Sequence, residues 1–320
     1  MTSRANSDTS QLSVFIDGEA GTTGLQIRER LAALADVEVR SIDPTLRKDE
    51  AARLDMMRNV DLVVLCLPDD AAKEAVALAD TLGNDAPKIV DASTAHRVAP
   101  GWIYGFAELD AKQADTIRHA KRVSNPGCYP TGAIALLRPL IAGGIVAPDH
   151  PITVNAVSGY SGGGKSMIES YEVSKTAPAF ELYGLGLDHK HVPELMAYSG
   201  LTRRPIFVPS VGNFRQGMLV SIPLHLDLLP GKPSAQDIHK TLAQFYVGSE
   251  RVHVMPYATG ARIEPEALNN SDQLELFVYG NKTGDQAVLV ARLDNLGKGA
   301  AGAAVQNLQL MLGLDTPSRA

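Results

Sequence analysis

Short apolar runs alternate with amphipathic segments of helical spacing from residue 12 to residue 93. Leu12–Ile16, VEVRSI, DLVVLCLP and KIVDAS read as strands; LQIRERLAAL, DEAARLDMMRNV and DDAAKEAVALADTLG read as the helices between them. Strands joined through helices run parallel, because only a crossover returns the chain to the same end of a sheet. Beyond about residue 130 the texture changes. TVNAVSGYSGGGKS, RPIFVPSV, MLVSIPLHLDL, RVHVMPYA, QLELFVYGN and AVLVARLDNL read as strands separated by loops, the pattern of a mixed or largely antiparallel sheet. The closing GAAGAAVQNLQLML returns to helical spacing, and its small residues suit close packing on the first half. No repeat or low-complexity linker separates the halves, so they are expected to dock firmly.

With 320 residues, 45% of them hydrophobic, the chain can fill two medium cores. Thirty basic against 36 acidic side chains leave a net charge of −6, which argues against a nucleic-acid partner. Cys66 and Cys128 are the only cysteines, too few for a disulfide framework and without the neighbours of a structural zinc site. The opening MTSRANSDTSQL is polar, with no apolar core of a secretory signal, and reads as a loose tail. No apolar run approaches the roughly 20 residues that span a bilayer. A cytosolic protein with no membrane partner is expected.

Gly18, Gly21 and Gly24 form a GxxGxxG loop straight after the first strand. Missing side chains there let backbone approach a pyrophosphate at a helix N-terminus, although tight helix-on-strand packing would use the same glycines. After the second strand, where an NAD binder carries an acidic residue, stand Arg40 and Ser41. They suit a 2′-phosphate and favour NADP(H); a solvated strand end is the alternative.

In SNPGCYPTGAIALLRPL a Pro-Gly turn delivers Cys128 to the start of an apolar helix. Free N–H groups and the helix dipole there are expected to lower the thiol pKa and make a nucleophile. Cys66, within the apolar VVLCLP, reads as an inert buried cysteine.

NPGCYPT, SGYSGGGK, HKHVPEL and DNLGKGAAGAAVQNLQLM, in order along the chain, resemble the N-acetyl-gamma-glutamyl-phosphate reductases of the aspartate-semialdehyde-dehydrogenase-like group. Length and the VGNFRQGM stretch resemble the shorter branch of that family, and DASTAHR stands where the longer form carries a segment like DLSADFR. The resemblance implies an α/β fold, with a Rossmann-type NADP-binding domain of residues 1–127 plus 297–320, residues 1–11 being the loose tail. Residues 128–296 would form the catalytic and dimerisation α+β domain. It also implies Cys128 as nucleophile and His191 as acid/base, whereas spacing alone does not choose between His189 and His191. An imidazole with a pKa near 6.5 suits that work.

The resemblance further sets Thr22, Thr23, Pro68, Ser93, Asn295 and Gly299 beside the cofactor, with small residues of GKGAAG letting the nicotinamide approach the cysteine. Arg97, Asn125, Ser158, Gly159, Lys165, His189 and Glu194 would meet an acyl-phosphate substrate. Arg97 follows a strand end, where a forked guanidinium suits an anion; an exposed loop cation is the other reading. Three glycines in SGGGK serve equally as a plain connection, and Asn295 with the GKGAAG run serves equally in helix packing. No metal is expected, since the histidine pair lacks a third ligand at suitable spacing. The implied reaction is NADPH-dependent reduction through a cysteine thioester, in a homodimer or homotetramer. Other acyl-phosphate reductases of the group, or a non-catalytic dinucleotide-binding regulator, are the competing readings.

Overall fold

The computed structural model describes residues 11–257 and 262–314. The expected tail therefore lies outside the described residues, save for Gln11, whose side-chain amide donates to the Ala35 carbonyl at 2.7 Å.

The first sheet holds β1 (Leu12–Asp17), β2 (Val37–Arg40), β3 (Leu62–Leu65), β4 (Lys88–Asp91), β5 (Ile103–Tyr104) and β6 (Arg122–Ser124). All pair in parallel, in the order β2-β1-β3-β4-β6-β5. Every residue of β3 is buried, as a continuous apolar run must be when helices cover both faces of a parallel sheet. Val14, Ile16, Leu62 and Val64 face α1 (Thr22–Leu31), α4 (Gln113–His119) and α9 (Gly302–Leu312). Phe15, Val63 and Leu65 face α2 (Glu50–Arg58) and α3 (Asp69–Asp80). The closing helix thus packs on the first sheet, as its small residues imply: Ala304, Val305 and Leu308 share a core with Val14 and Ile16.

The second sheet is mixed, in the order β11-β12-β13-β10-β7-β9-β8. Its strands are β7 (Thr153–Gly159), β8 (Phe180–Leu182), β9 (Ile206–Gly212), β10 (Met218–His225), β11 (Val252–Val254), β12 (Leu274–Gly280) and β13 (Gln286–Leu293). β7 with β9 and β11 with β12 are parallel; the other pairs are antiparallel. Along β10, Met218, Val220, Ile222 and Leu224 are buried while the residues between them are not, so one face alone is covered. That inner face packs on α5 (Cys128–Ala142), α7 (Val192–Ser199) and α8 (Ala235–Phe245). The opposite side leaves Phe180, Leu182 and Val288 exposed. Helix α5 is apolar nearly all round and buried along almost its whole length, which makes its first turn a rigid platform.

Three features go beyond the sequence reading. β5, α4 and β6 extend the first sheet past β4, α8 interrupts the run of strands, and the SGGGK segment is a helical turn leading into α6 (Gly164–Glu172). Among the described residues, no helix is long and apolar enough to cross a membrane.

Candidate active site

The glycine turn is dictated by crowding. Gly18 has φ +92°, and a Cβ there would run into the Cys66 carbonyl at the end of β3. A Cβ on Gly24 would lie 2.6 Å from the Gly18 carbonyl oxygen, to which Gly21 N–H donates at 3.0 Å. The turn opens on the N-terminus of α1, where Thr22 and Thr23 begin the helix and no side chain caps it. Uncapped first-turn N–H groups beside a turn this tight fit the pyrophosphate of a dinucleotide.

At the C-terminal end of β2, Arg40 turns aside: its guanidinium binds Glu38 and donates to the Asn59 carbonyl at 2.7 Å. The cation beside Ser41 is Arg28, which donates to Ser41 Oγ at 2.6 Å and pairs with Glu19 at 2.5 Å. Arg28 lies on α1, with β2 between it and Ser41 in the chain, so local spacing does not point to it. Pro68 sits at the N-terminus of α3, just beyond β3. Ser93 is buried, with its hydroxyl and amide both engaged by Asp91, which also holds His96 Nδ1 at 2.6 Å.

Cys128 is the first residue of α5, with Gly127 as its N-cap. A Cβ on Gly127 would lie 2.5 Å from Arg97 Nη1, 2.7 Å from Glu194 Oε1 and 2.9 Å from His191 Nε2. Only glycine before the cysteine lets these three side chains converge there. Glu194, 1% exposed, anchors the group. It accepts from Arg97 Nη1 at 2.5 Å, Tyr104 Oη at 2.8 Å and Gly127 N–H at 3.0 Å. Arg97 Nε donates to the Asn125 carbonyl at 3.0 Å, and the Tyr104 ring stacks on Tyr198 at 3.7 Å. Neither tyrosine carries a sequence signal for the site.

A π-turn, Gly297–Ala301, closes the other side of the cysteine. A Cβ on Gly299 would stand 2.9 Å from Cys128 Cβ, so backbone rests directly against the cysteine. Asn125 Nδ2 donates to the Ala300 carbonyl at 3.0 Å, and Asn125 Oδ1 accepts from Asn307 at 3.1 Å. Asn295 is likewise engaged, accepting from Gly217 N–H at 2.8 Å and donating to Ser161 Oγ at 2.9 Å. Both asparagines hold the frame together.

Two electrostatic expectations are corrected. Cys128 is half-buried, and desolvation pushes its thiol up to about 11, outweighing the lowering by Arg97 and by the N–H groups of Tyr129 and Cys128 itself. The helix N-terminus alone does not ionise it. Burial, then Arg97, His189 and Lys190, hold the His191 imidazole well below its ordinary value of 6.5. His191 is therefore neutral at pH 7, with one ring nitrogen carrying a lone pair. Its Nδ1 is buried without a partner among the described residues, while its backbone N–H donates to His189 Nδ1 at 3.1 Å. That bond makes His189 Nδ1 an acceptor and gives the residue an orienting place beside the loop.

Ser158 and Gly159 end β7 under the VGNFRQGM stretch, where a Cβ on Gly159 would meet the Arg215 backbone at 2.6 Å. Lys165 is exposed on α6 and has no hydrogen bond or ion pair among the described residues. Cys66 is half-buried, its thiol pushed to about 12 by desolvation and then by Asp91 and Asp17.

Known proteins share this architecture and sequence. The family model described as semialdehyde dehydrogenase, dimerisation domain, matches residues 128–295, and that of the semialdehyde dehydrogenase NAD binding domain matches residues 23–117. N-acetyl-gamma-glutamyl-phosphate reductase 2 of Pseudomonas putida is 52% identical over 305 residues, covering 94% of this chain and 96% of that protein. The N-acetyl-gamma-glutamyl-phosphate reductase of Rhizobium etli is 54% identical over 307 residues, covering 93% and 98%. In fold, aspartate semialdehyde dehydrogenase II of Vibrio cholerae superposes with a TM-score of 0.69 at 16% identity, covering 95% of this chain and 99% of that one. The aspartate semialdehyde dehydrogenase of Candida albicans, solved with NADP, gives 0.63 at 15% identity over 95% and 99%. An uncapped glycine turn for a dinucleotide, a helix-heading cysteine and more than half the sequence in common place the chain in the N-acetyl-gamma-glutamyl-phosphate reductase family, as a nicotinamide-dinucleotide-dependent oxidoreductase.

Proposed function

We propose that the chain reduces N-acetyl-gamma-glutamyl phosphate to N-acetylglutamate 5-semialdehyde and phosphate, with NADPH as reductant and Cys128 as the acyl carrier, in arginine biosynthesis in the cytoplasm. The observation that carries this reading is the convergence of Cys128, neutral His191 and the Arg97–Glu194 pair on Gly127.

A neutral thiol needs a base. His191 Nε2, beside the cysteine loop, takes its proton as the sulfur bonds to the acyl carbon, so that no free thiolate has to form beforehand. The sulfur joins the γ-acyl carbon, the bond from that carbon to the phosphate oxygen breaks, and phosphate departs as hydrogen phosphate, its proton drawn from solvent, leaving a thioester on Cys128. The bound nicotinamide nucleotide supplies the hydride for reduction of that thioester. His191 gives the proton to the tetrahedral oxygen, recovers it as the carbon–sulfur bond breaks, and returns it to the departing sulfur. Arg97 uses Nε and Nη1 within the protein, which leaves Nη2 for an anionic group of the substrate, with His189 beside it. Ser158, Gly159 and Lys165 are proposed for the phosphate side, and Gly18 through Gly24 with Pro68 and Ser93 for the nucleotide side.

NADPH over NADH is read from Arg28 and Ser41, a cation and a hydroxyl beside the end of β2 that the Glu19 carboxylate holds together and that a 2′-phosphate would have to draw away from it. Residues 1–127 plus 297–320 are taken as the nucleotide domain and 128–296 as the catalytic and dimerisation domain. A second copy of the chain would cover the open apolar side of the second sheet, giving a homodimer or a homotetramer.

Phosphate-dependent oxidation of N-acetylglutamate semialdehyde, followed at 340 nm with NADP and with NAD, tests the reading. Turnover is expected with NADP and lost in Cys128→Ser. Faster turnover of aspartate semialdehyde, or a Cys128→Ser variant at wild-type rate, would refute it.

A further inference from the structure

The GKGAAG run contains one side chain longer than a methyl group, Lys298. It points into the protein and is 1% exposed. Its ammonium donates to Glu108 Oε2 at 2.6 Å and Gln306 Oε1 at 2.7 Å, and lies 5.3 Å from the centre of the Phe106 ring. Gln306 Nε2 closes the triangle on Glu108 Oε1 at 2.9 Å. A buried ion pair carries a desolvation cost that apolar residues of similar volume avoid, so stability alone is a weak reason for it.

The alternative reason is placement. Lys298 sits next to Gly299, the residue whose backbone rests on Cys128. Glu108 lies in the segment after β5, whose Phe106 and Leu109 join the core of the second sheet and whose Ala107 joins that of the first, and Gln306 lies on α9, which packs on the first sheet. On its other flank the π-turn abuts Ser271 and Asp272, because a Cβ on Gly297 would strike the Ser271 carbonyl and one on Gly302 the Asp272 carboxylate. Asp272 is itself held by Arg30 of α1 at 2.6 Å and Arg251 at 3.4 Å. The turn is wedged between the two sheets, and Lys298 is its only side chain long enough to fix how far it stands from the cysteine.

We propose that Lys298, locked to Glu108 and Gln306, is a positioning residue that sets the wall against which the Cys128 sulfur works. The inference rests on Cys128 being the nucleophile. Loosening the lock lets the turn drift from the cysteine, which opens the thiol to reagents and spoils the alignment of the acyl group.

The test is the double variant Lys298→Gln with Glu108→Gln, which removes both charges together and strands neither. Peptide-level mass spectrometry follows alkylation of Cys128 and Cys66 by iodoacetamide in the folded protein, with Cys66 in the other core as internal reference. Cys128 alkylation is expected to rise about five- to tenfold with Cys66 unchanged, while kcat falls about 10- to 100-fold and the acyl-phosphate KM stays within about twofold. If the double variant does not fold, Gln306→Met carries the same test with a shift of about two- to tenfold, the net worth of a typical hydrogen bond. Unchanged Cys128 alkylation and kcat, or Cys66 rising in step with Cys128, would overturn the proposal. A wild-type enzyme inactive on acyl phosphates would instead fail the functional reading, and would leave the alkylation result to judge Lys298 alone.

Discussion

Replacing Gly299 with alanine separates geometry from stability. The new methyl carbon would stand 2.9 Å from Cys128 Cβ and 3.0 Å from the Asp294 carbonyl oxygen. Carbon pairs rest at about 3.5–4.0 Å, so one side must retreat by roughly 0.6–1 Å. Neither side yields readily, since Cys128 heads the buried α5 and Lys298 pins the turn. Overpacking of this kind costs about 1–3 kcal/mol, and the preference of helical backbone for Ala over Gly returns about 1 kcal/mol. The net is about 0–2 kcal/mol, a shift in Tm of no more than about 3 °C for a chain of this length. Displacement of a reacting atom by that distance lowers kcat about 10- to 100-fold. Thermal denaturation and steady-state kinetics on one preparation decide the matter. A folded Gly299→Ala enzyme with kcat within twofold of wild type would refute the contact argument, as would activity that falls only in proportion to folded protein.

Glu194→Gln removes the carboxylate shared by Arg97, Tyr104 and Gly127 N–H and strands a buried guanidinium, so a loss of about 3–5 kcal/mol is expected, read as a Tm lower by several degrees. Alkylation of Cys128 in the free protein should climb tenfold per pH unit toward about 11, since only the thiolate reacts; a plateau below pH 8 would contradict the raised thiol. His191 is depressed in the folded state, so the unfolded chain gains its proton first as pH falls below 6.5, and stability declines by up to about 1.4 kcal/mol per pH unit. His191→Asn should flatten that decline in denaturant titrations between pH 6.5 and 5; an identical slope would mean that other groups carry it.

Much of this arrangement is legible in the chain. Apolar continuity marks β3 as doubly covered, alternation marks β10 as singly covered, and GxxGxxG after a strand marks the nucleotide turn. β5 and β6 escape because two- and three-residue strands are shorter than any periodicity can register. α8 does carry a signal, the Ser234–Asp237 capping box ahead of an amphipathic run, which strand-like neighbours obscure. Site residues divide in the same way. Cys128 and the His189–His191 pair stand out by chemistry, with the choice of His191 coming from the family resemblance, whereas Tyr104, Arg28 and Lys298 act through partners remote in sequence. Local reasoning also gave the wrong sign for the thiol, because burial depends on what the second sheet and the π-turn bring to α5.

The central claim is an acyl group carried on sulfur. The enzyme incubated with N-acetyl-gamma-glutamyl phosphate and no reductant, quenched in acid and digested, should show one N-acetylglutamyl group on the Cys128 peptide, discharged on adding NADPH and absent from Cys128→Ser. Full turnover with no adduct at Cys128, or an adduct borne by another residue, would contradict it.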